Sequence, residues 1–154
     1  MLQSNICEKV MKIVKHCIAI LFIMLAISHA TACSSTCTKK QFEEAESVNL
    51  KDWKSVYYYF DKYEKCDNAD LSEMTSVTIT HMLADKWDTL DQLEEKFRKN
   101  GKFQFFILQH INEMADYDDI AQIEKLSKTS CNINDKKFCN YLHRQSAYIK
   151  KQMD

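Results

Sequence analysis

The sequence predicts an all-α protein, a compact bundle of about six or seven short antiparallel helices following an N-terminal export segment. Three observations carry this. The 154 residues include no proline and one glycine, Gly101, whereas all-β domains need turn-forming glycine and proline at regular intervals. Beyond residue 38, apolar residues recur at three- and four-residue spacing, the period of a helix. The breaks between these stretches are short and rich in Asn and Asp, and short connections make antiparallel neighbours. No motif repeats at a fixed period, which favours a bundle over a helical-repeat stack.

The first element is a targeting segment. Lys9, Lys12 and Lys15 precede an uncharged run from Cys17 to Ile27, and the small residues Ser28, Ala30, Thr31 and Ala32 lead to Cys33. Basic head, short apolar middle and small-residue exit make a secretory signal. The apolar run is shorter than the roughly 20 residues a spanning helix needs. Met11 is an alternative start, with residues 1–10 then an upstream extension. The expected organisation is a signal peptide over 1–32, a polar tether over 33–38 and one helical domain over 39–154. Ala30-Thr31-Ala32 is also an A-x-A site for ordinary cleavage. The same residues followed by Cys33 resemble the lipobox of bacterial lipoproteins, with Ala30 where that family usually carries leucine. The resemblance implies that Cys33 is lipidated and becomes the new N-terminus.

The helices follow in order. Residues 39–47 carry Phe42 and Ala45 inward. Asn49 is expected to cap a helix over 50–65, where Trp53, Val56, Tyr57, Phe60 and Tyr63 form an apolar stripe. Tyr58 and Tyr59 widen that stripe beyond one face. Residues 70–86 are ambiguous: Leu71, Met74, Val77, His81 and Met82 fit a helix. Yet 75–80 are β-branched at five of six positions, a strand preference. Helical flanks and the lack of a partner strand favour helix. Asp88 is expected to cap the next helix, with Leu90, Leu93 and Phe97 inward. Asn100-Gly101 should end it, with Gly101 in the left-handed position that follows many helices. Residues 102–115, with Phe103, Phe105, Phe106, Ile107, Leu108, Ile111 and Met114, are apolar almost all round and predict a central, covered helix. Asp118 or Asp119 should start another, and Asn134 the last, which carries Phe138, Tyr141, Leu142 and Ile149.

The cysteines are counted after export. Cys7 and Cys17 leave with the signal, and Cys33, Cys37, Cys66, Cys131 and Cys139 remain. An odd number in an exported protein needs an explanation. A lipidated Cys33 supplies one and leaves four for two disulfides. Four cysteines allow three pairings that sequence does not separate. Cys131 with Cys139 is favoured because the two are close and flank Asn132-Ile133-Asn134, which leaves Cys37 with Cys66. No C-x-x-C is present to suggest zinc.

About 120 residues remain after cleavage, one ordinary domain. They carry 18 basic and 21 acidic residues once Lys9, Lys12, Lys15 and Glu8 are removed, a formal charge of −3. A nucleic-acid module would normally be clearly basic, so the charge argues against that class. No G-x-S-x-G marks a nucleophile, and cysteines in an oxidising compartment bridge rather than attack. The acidic residues lie mostly at helix starts, where the helix dipole favours them. One metal constellation is available: His81 with Asp85 and His110 with Glu113, at helical i,i+4 and i,i+3 spacing, would supply four ligands, as helical bundles do. Tyr58, Tyr59 and Trp87 are candidate partner-binding residues if exposed, because Tyr and Trp anchor protein interfaces.

The pattern of export signal, about 120 helical residues and a cysteine near the end resembles the small helical periplasmic immunity proteins that bacteria pair with secreted toxins. Trp53-x2-Val56-Tyr57-x2-Phe60-x2-Tyr63-x2-Cys66-Asp67, His110-Ile111-x-Glu113 and Cys131 also resemble an uncharacterised exported family, which implies no activity. The expectation is a non-enzymatic exported binding protein of the bacterial envelope, with a protein partner such as a secreted toxin. It would need no cofactor and would bind no nucleic acid. It would be periplasmic, or anchored through lipid on the outer side of the inner membrane or in the outer membrane. The alternatives are a helical metal-binding enzyme and a structural envelope lipoprotein.

Overall fold

The computed structural model of the chain describes residues 36–134 and 136–154. The signal segment and Cys33 lie outside the described residues. Those described contain seven α-helices, two short 3₁₀ turns and no strand. No helix among them is long and apolar enough to cross a membrane.

Helix α1 (Lys39–Glu46) is started by Thr38, whose hydroxyl accepts from the Gln41 N–H while the Gln41 side chain accepts from the Thr38 N–H. This reciprocal capping satisfies two N–H groups that have no partner within the helix. The Cys37–Cys66 disulfide ties the residue before the Thr38 cap to the 3₁₀ turn Glu64–Cys66 that ends the next helix.

Helix α2 (Trp53–Tyr63) is capped by Asp52, not by Asn49. Asp52 is extended and accepts from the Ser55 N–H at 2.7 Å, and Ser55 Oγ accepts in return from the Asp52 N–H. Asn49 lies one turn too early to share this exchange. The helix buries Trp53, Val56, Tyr59, Phe60 and Tyr63, and Tyr57 is only half-buried. Trp53 is buried because its indole N–H finds Thr89 Oγ1 at 2.8 Å.

Residues 69–85 are helical throughout as α3 (Ala69–Asp85). The β-branched run is accommodated in the helix because its buried threonine hydroxyls bond to the preceding turn. Thr75 Oγ1 donates to the Leu71 carbonyl and Thr80 Oγ1 to the Ser76 carbonyl, both at 2.7 Å. Buried side-chain polar groups are thereby satisfied without an external partner.

Asp88 does not cap α4 (Asp91–Lys99). It lies in a 3₁₀ turn, Trp87–Thr89, and α4 starts after Leu90 with Asp91 and Glu94 in its first turn. Gly101 is not left-handed. It is the first residue of α5 (Gly101–Gln109), and Asn100, extended, accepts from the Lys102 N–H at 3.0 Å. One extended residue thus turns the chain from α4 into α5 and needs no positive φ. Helix α5 stops at Gln109, well short of residue 115. The Asn112 side chain takes the Met114 N–H at 3.0 Å and donates to the Gln109 carbonyl, a local competitor to helical bonding.

Asp116, two residues before Asp118 and three before Asp119, caps α6 (Tyr117–Thr129). Helix α7 (Lys136–Met153) returns antiparallel to it. Cys131–Cys139 closes the connection, Lys150 meets Glu124 at 2.9 Å, and the Tyr117 hydroxyl donates to Asp154 at 2.9 Å. This hairpin has the most extensive packing in the molecule, with α3 against α6 on one flank. On the other flank α5 meets α7, while α2 packs on α4 and α5. Aromatic rings join these halves. Phe60 lies 5.2 Å from both Phe103 and Phe106, and Phe97 lies 4.7 Å from Phe138. Fully buried rings such as Phe103 and Phe138 contribute about 2–3 kcal/mol each.

Candidate functional site

The packing that buries Phe103, Phe106 and Ile107 sends Phe105 outward, because successive helical residues are rotated by about 100°. Phe105 is 62 % exposed, which corrects the expectation of a helix covered on all sides. Facing the same solvent, α7 carries Tyr141, Arg144 and Tyr148 at i, i+3 and i+7, one stripe of a helix. Tyr141 and Tyr148 are 48 % and 60 % exposed, and the Arg144 guanidinium sits 6.0 Å from the Tyr141 ring. Phe105 and Leu108 of α5 and Tyr141 and Arg144 of α7 line an open groove of about 690 Å³. Gln145 is fixed at its wall by donating to the Ile111 carbonyl at 3.0 Å. No carboxylate is among the described residues lining it.

A second, charged cleft adjoins this groove and shares Phe105 and Gln109 with it. Lys102, Glu64 and Lys65 rim it, and Asp67 and His110 form its base. His110 Nε2 lies 3.1 Å from Asp67 Oδ2, and Nδ1 lies 2.9 Å from Ser76 Oγ. Asn112 donates to Ser76 Oγ at 2.9 Å, and the Tyr59 hydroxyl donates to Asp67 Oδ1 at 3.2 Å. Burial pushes the Tyr59 phenol well above its ordinary range, with the Asp67 charge adding to the effect. The imidazole packs on Phe106 in a T-shaped pair, centroids 4.4 Å apart.

Ser, His and Asp in a hydrogen-bonded row are the residue set of nucleophilic hydrolases. Here Ser76 is fully buried, and a nucleophile must meet its substrate. The row instead joins the turn after α2, the middle of α3 and the end of α5. It is a polar clamp in the core, with every member satisfied.

Of the aromatic residues expected at an interface, Tyr58 is 49 % exposed and half-covered by the Tyr63 ring. Tyr59 and Trp87 are not at the surface. Tyr59 is in the core, its hydroxyl held by Asp67, and Trp87 is buried with its indole N–H donating to the Ser130 carbonyl at 2.7 Å. A polar partner for each ring atom made burial possible.

The four expected metal ligands do not converge. His81 and Asp85 meet at 3.2 Å, but the third member of their group is Asp119 of α6, 3.4 Å from His81 Nδ1. His110 has both ring nitrogens engaged by Asp67 and Ser76, and Glu113 is exposed in the turn after α5. The Asp119 carboxyl is pushed upward, chiefly by burial and further by Asp116 and Asp85, while His81 opposes the shift. Sequence reading missed Phe105 and Arg144 as surface residues and Asp119 as the partner of His81. Helical period alone identifies the outward turn of Phe105 once the helix is known to end at Gln109; the pairing of Asp119 has no local signal. No protein-family model, curated protein or solved structure matches this chain.

Proposed function

We propose that this is a non-enzymatic, exported binding protein of the bacterial cell envelope that grips a protein partner in the groove between α5 and α7. The observation that supports it best is the exposure of Phe105 beside the Tyr141–Arg144–Tyr148 stripe. Large aromatics and arginine dominate the energetics of protein interfaces, and exposed apolar side chains grouped along one groove mark an interaction site where scattered ones do not. The two disulfides suit an oxidising compartment, in keeping with the export segment. The groove has a guanidinium and amides on its walls and no carboxylate, which suits a partner with an apolar anchor flanked by acidic groups. An inhibitor or immunity factor for a secreted toxin fits these features most concretely, with Cys33 as a lipid anchor.

The test is co-purification from envelope extracts, and with the product of an adjacent toxin-like gene where one exists. A stoichiometric complex should form with the wild type and be lost in Phe105→Ala/Tyr141→Ala, with the melting temperature of the variant unchanged. A complex that survives the double substitution places the interface elsewhere, and no complex at all sinks the reading.

A further inference from the structure

We propose that His81, Asp85 and Asp119 form a surface site for one divalent transition-metal ion, clamping the end of α3 to the start of α6. His81 and Asp85 are four residues apart in the last turns of α3 and so share a face. Asp119 reaches them from the first turn of α6. Each residue offers one ligand atom, and these three atoms lie within 4.8 Å of one another.

Metal–nitrogen and metal–oxygen bonds of about 2.0–2.2 Å place neighbouring ligands roughly 3.3–3.6 Å apart in tetrahedral geometry. The observed spread closes to that by side-chain rotation. His81 and Asp85 side chains are 61 % and 60 % exposed and free to turn, while Asp119, at 17 %, is the fixed point. One imidazole and two carboxylates make a mixed N/O set that suits zinc, nickel or copper(II), with further positions open to water. An imidazole ligand disfavours magnesium and calcium, which take oxygen.

The surrounding charge points the same way. Asp85 and Asp116 both act on Asp119 as like charges. The last turn of α3 carries no basic residue, and its carbonyl end is the negative end of the helix dipole. The N-terminus of α6 opposes a cation, but the three carboxylates outweigh a half-charge. A dication bound here replaces two weak contacts of His81 with bonds that join two helices. This site is separate from the groove, so its failure leaves the partner-binding reading untouched.

Calorimetry on untagged protein, purified after expression of the full chain, tests the site with zinc chloride and with nickel chloride. One equivalent should bind and raise the melting temperature, and a large excess of magnesium should not compete. His81→Ala and Asp119→Asn should each weaken binding at least about tenfold, the loss that disturbing even an outer-sphere partner produces. Asp85→Asn, at an exposed position, should do the same with the apo melting temperature unchanged. His143→Ala should have no effect. Absence of saturable binding up to about a hundredfold above micromolar metal, or binding unchanged in His81→Ala and Asp85→Asn, overturns the proposal.

Discussion

His110 Nε2 rests 3.1 Å from Asp67 Oδ2, with the two side chains 3 % and 11 % exposed. The contact links the end of α5 to the turn after α2, 43 residues earlier. Removing one member of a buried polar pair leaves the other unsatisfied, which costs more than the pair contributes. His110→Ala should therefore destabilise the protein by about 2–4 kcal/mol. Asp67→Asn should cost less, because its amide oxygen still accepts from His110 while its NH2 group donates to the Tyr59 hydroxyl oxygen. Urea unfolding of the two single variants and the double gives the coupling. Additivity within about 0.5 kcal/mol would show that the two residues act independently.

Asp52 caps α2, and the Ser55 backbone N–H holds its carboxyl below the usual 3.8. The folded-state value is depressed, so the stabilisation is present in full above the ordinary carboxylate range. It is lost as pH falls through the native value. Asp52→Ala should cost about 1 kcal/mol at neutral pH and Asp52→Asn only a few tenths, since Asn caps as well. The advantage of wild type over Asp52→Asn should shrink on acidification in thermal melts between pH 6 and about pH 3. A gap that widens towards acid contradicts the assignment of the cap.

The two disulfides close loops of different length. Chain entropy assigns about 3.6 kcal/mol to Cys37–Cys66, with a sequence separation of 29, and about 2.6 kcal/mol to Cys131–Cys139, with a separation of 8. Cys66→Ser/Cys37→Ser should thus lower stability more than Cys131→Ser/Cys139→Ser, by about 1 kcal/mol. Guanidinium unfolding of both double variants decides the order, and the reverse order would show that native packing near α7 outweighs loop closure.

Gly101 has negative φ, and a Cβ built on it meets nothing within 4 Å. Gly101→Ala should raise stability by about 0.4–1 kcal/mol through the unfolded chain. Had Gly101 been left-handed, the same substitution would be destabilising. The melting temperature of this one variant separates the two geometries by sign.

Cys37, Cys66, Cys131 and Cys139 are all bridged. If Cys33 is lipidated, the mature protein should take up no alkylating reagent before reduction, and Cys33→Ser should release it from the membrane with its melting temperature intact. Intact mass after alkylation checks the first, and membrane fractionation with a thermal melt checks the second. A soluble wild type with one alkylatable thiol would falsify the anchor.

Helices and their approximate limits were legible in the chain because they depend on neighbours three and four residues apart. The stripe of α2 from Trp53 to Tyr63 and that of α6 through Ile120 and Ile123 are such local patterns. The bridging of Cys131 with Cys139 is legible for the same reason, eight residues being a short span. Caps were less legible, since Asn49 and Asp52, or Asp116 and Asp119, are chemically alike, and the backbone chooses the one whose extended geometry lets its side chain reach back. What only the tertiary structure decided is the fate of polar and aromatic groups with distant partners. Tyr59 and Trp87 are buried because Asp67 and Ser130 receive their polar atoms, and His81 faces Asp119 while His110 faces Asp67. Phe105 is exposed because α5 and α7 leave an open groove between them, and it lines that groove. Periodicity tells which residues share a face; only packing tells which face meets a partner and which meets water, because burial is a property of the neighbouring element and not of the residue.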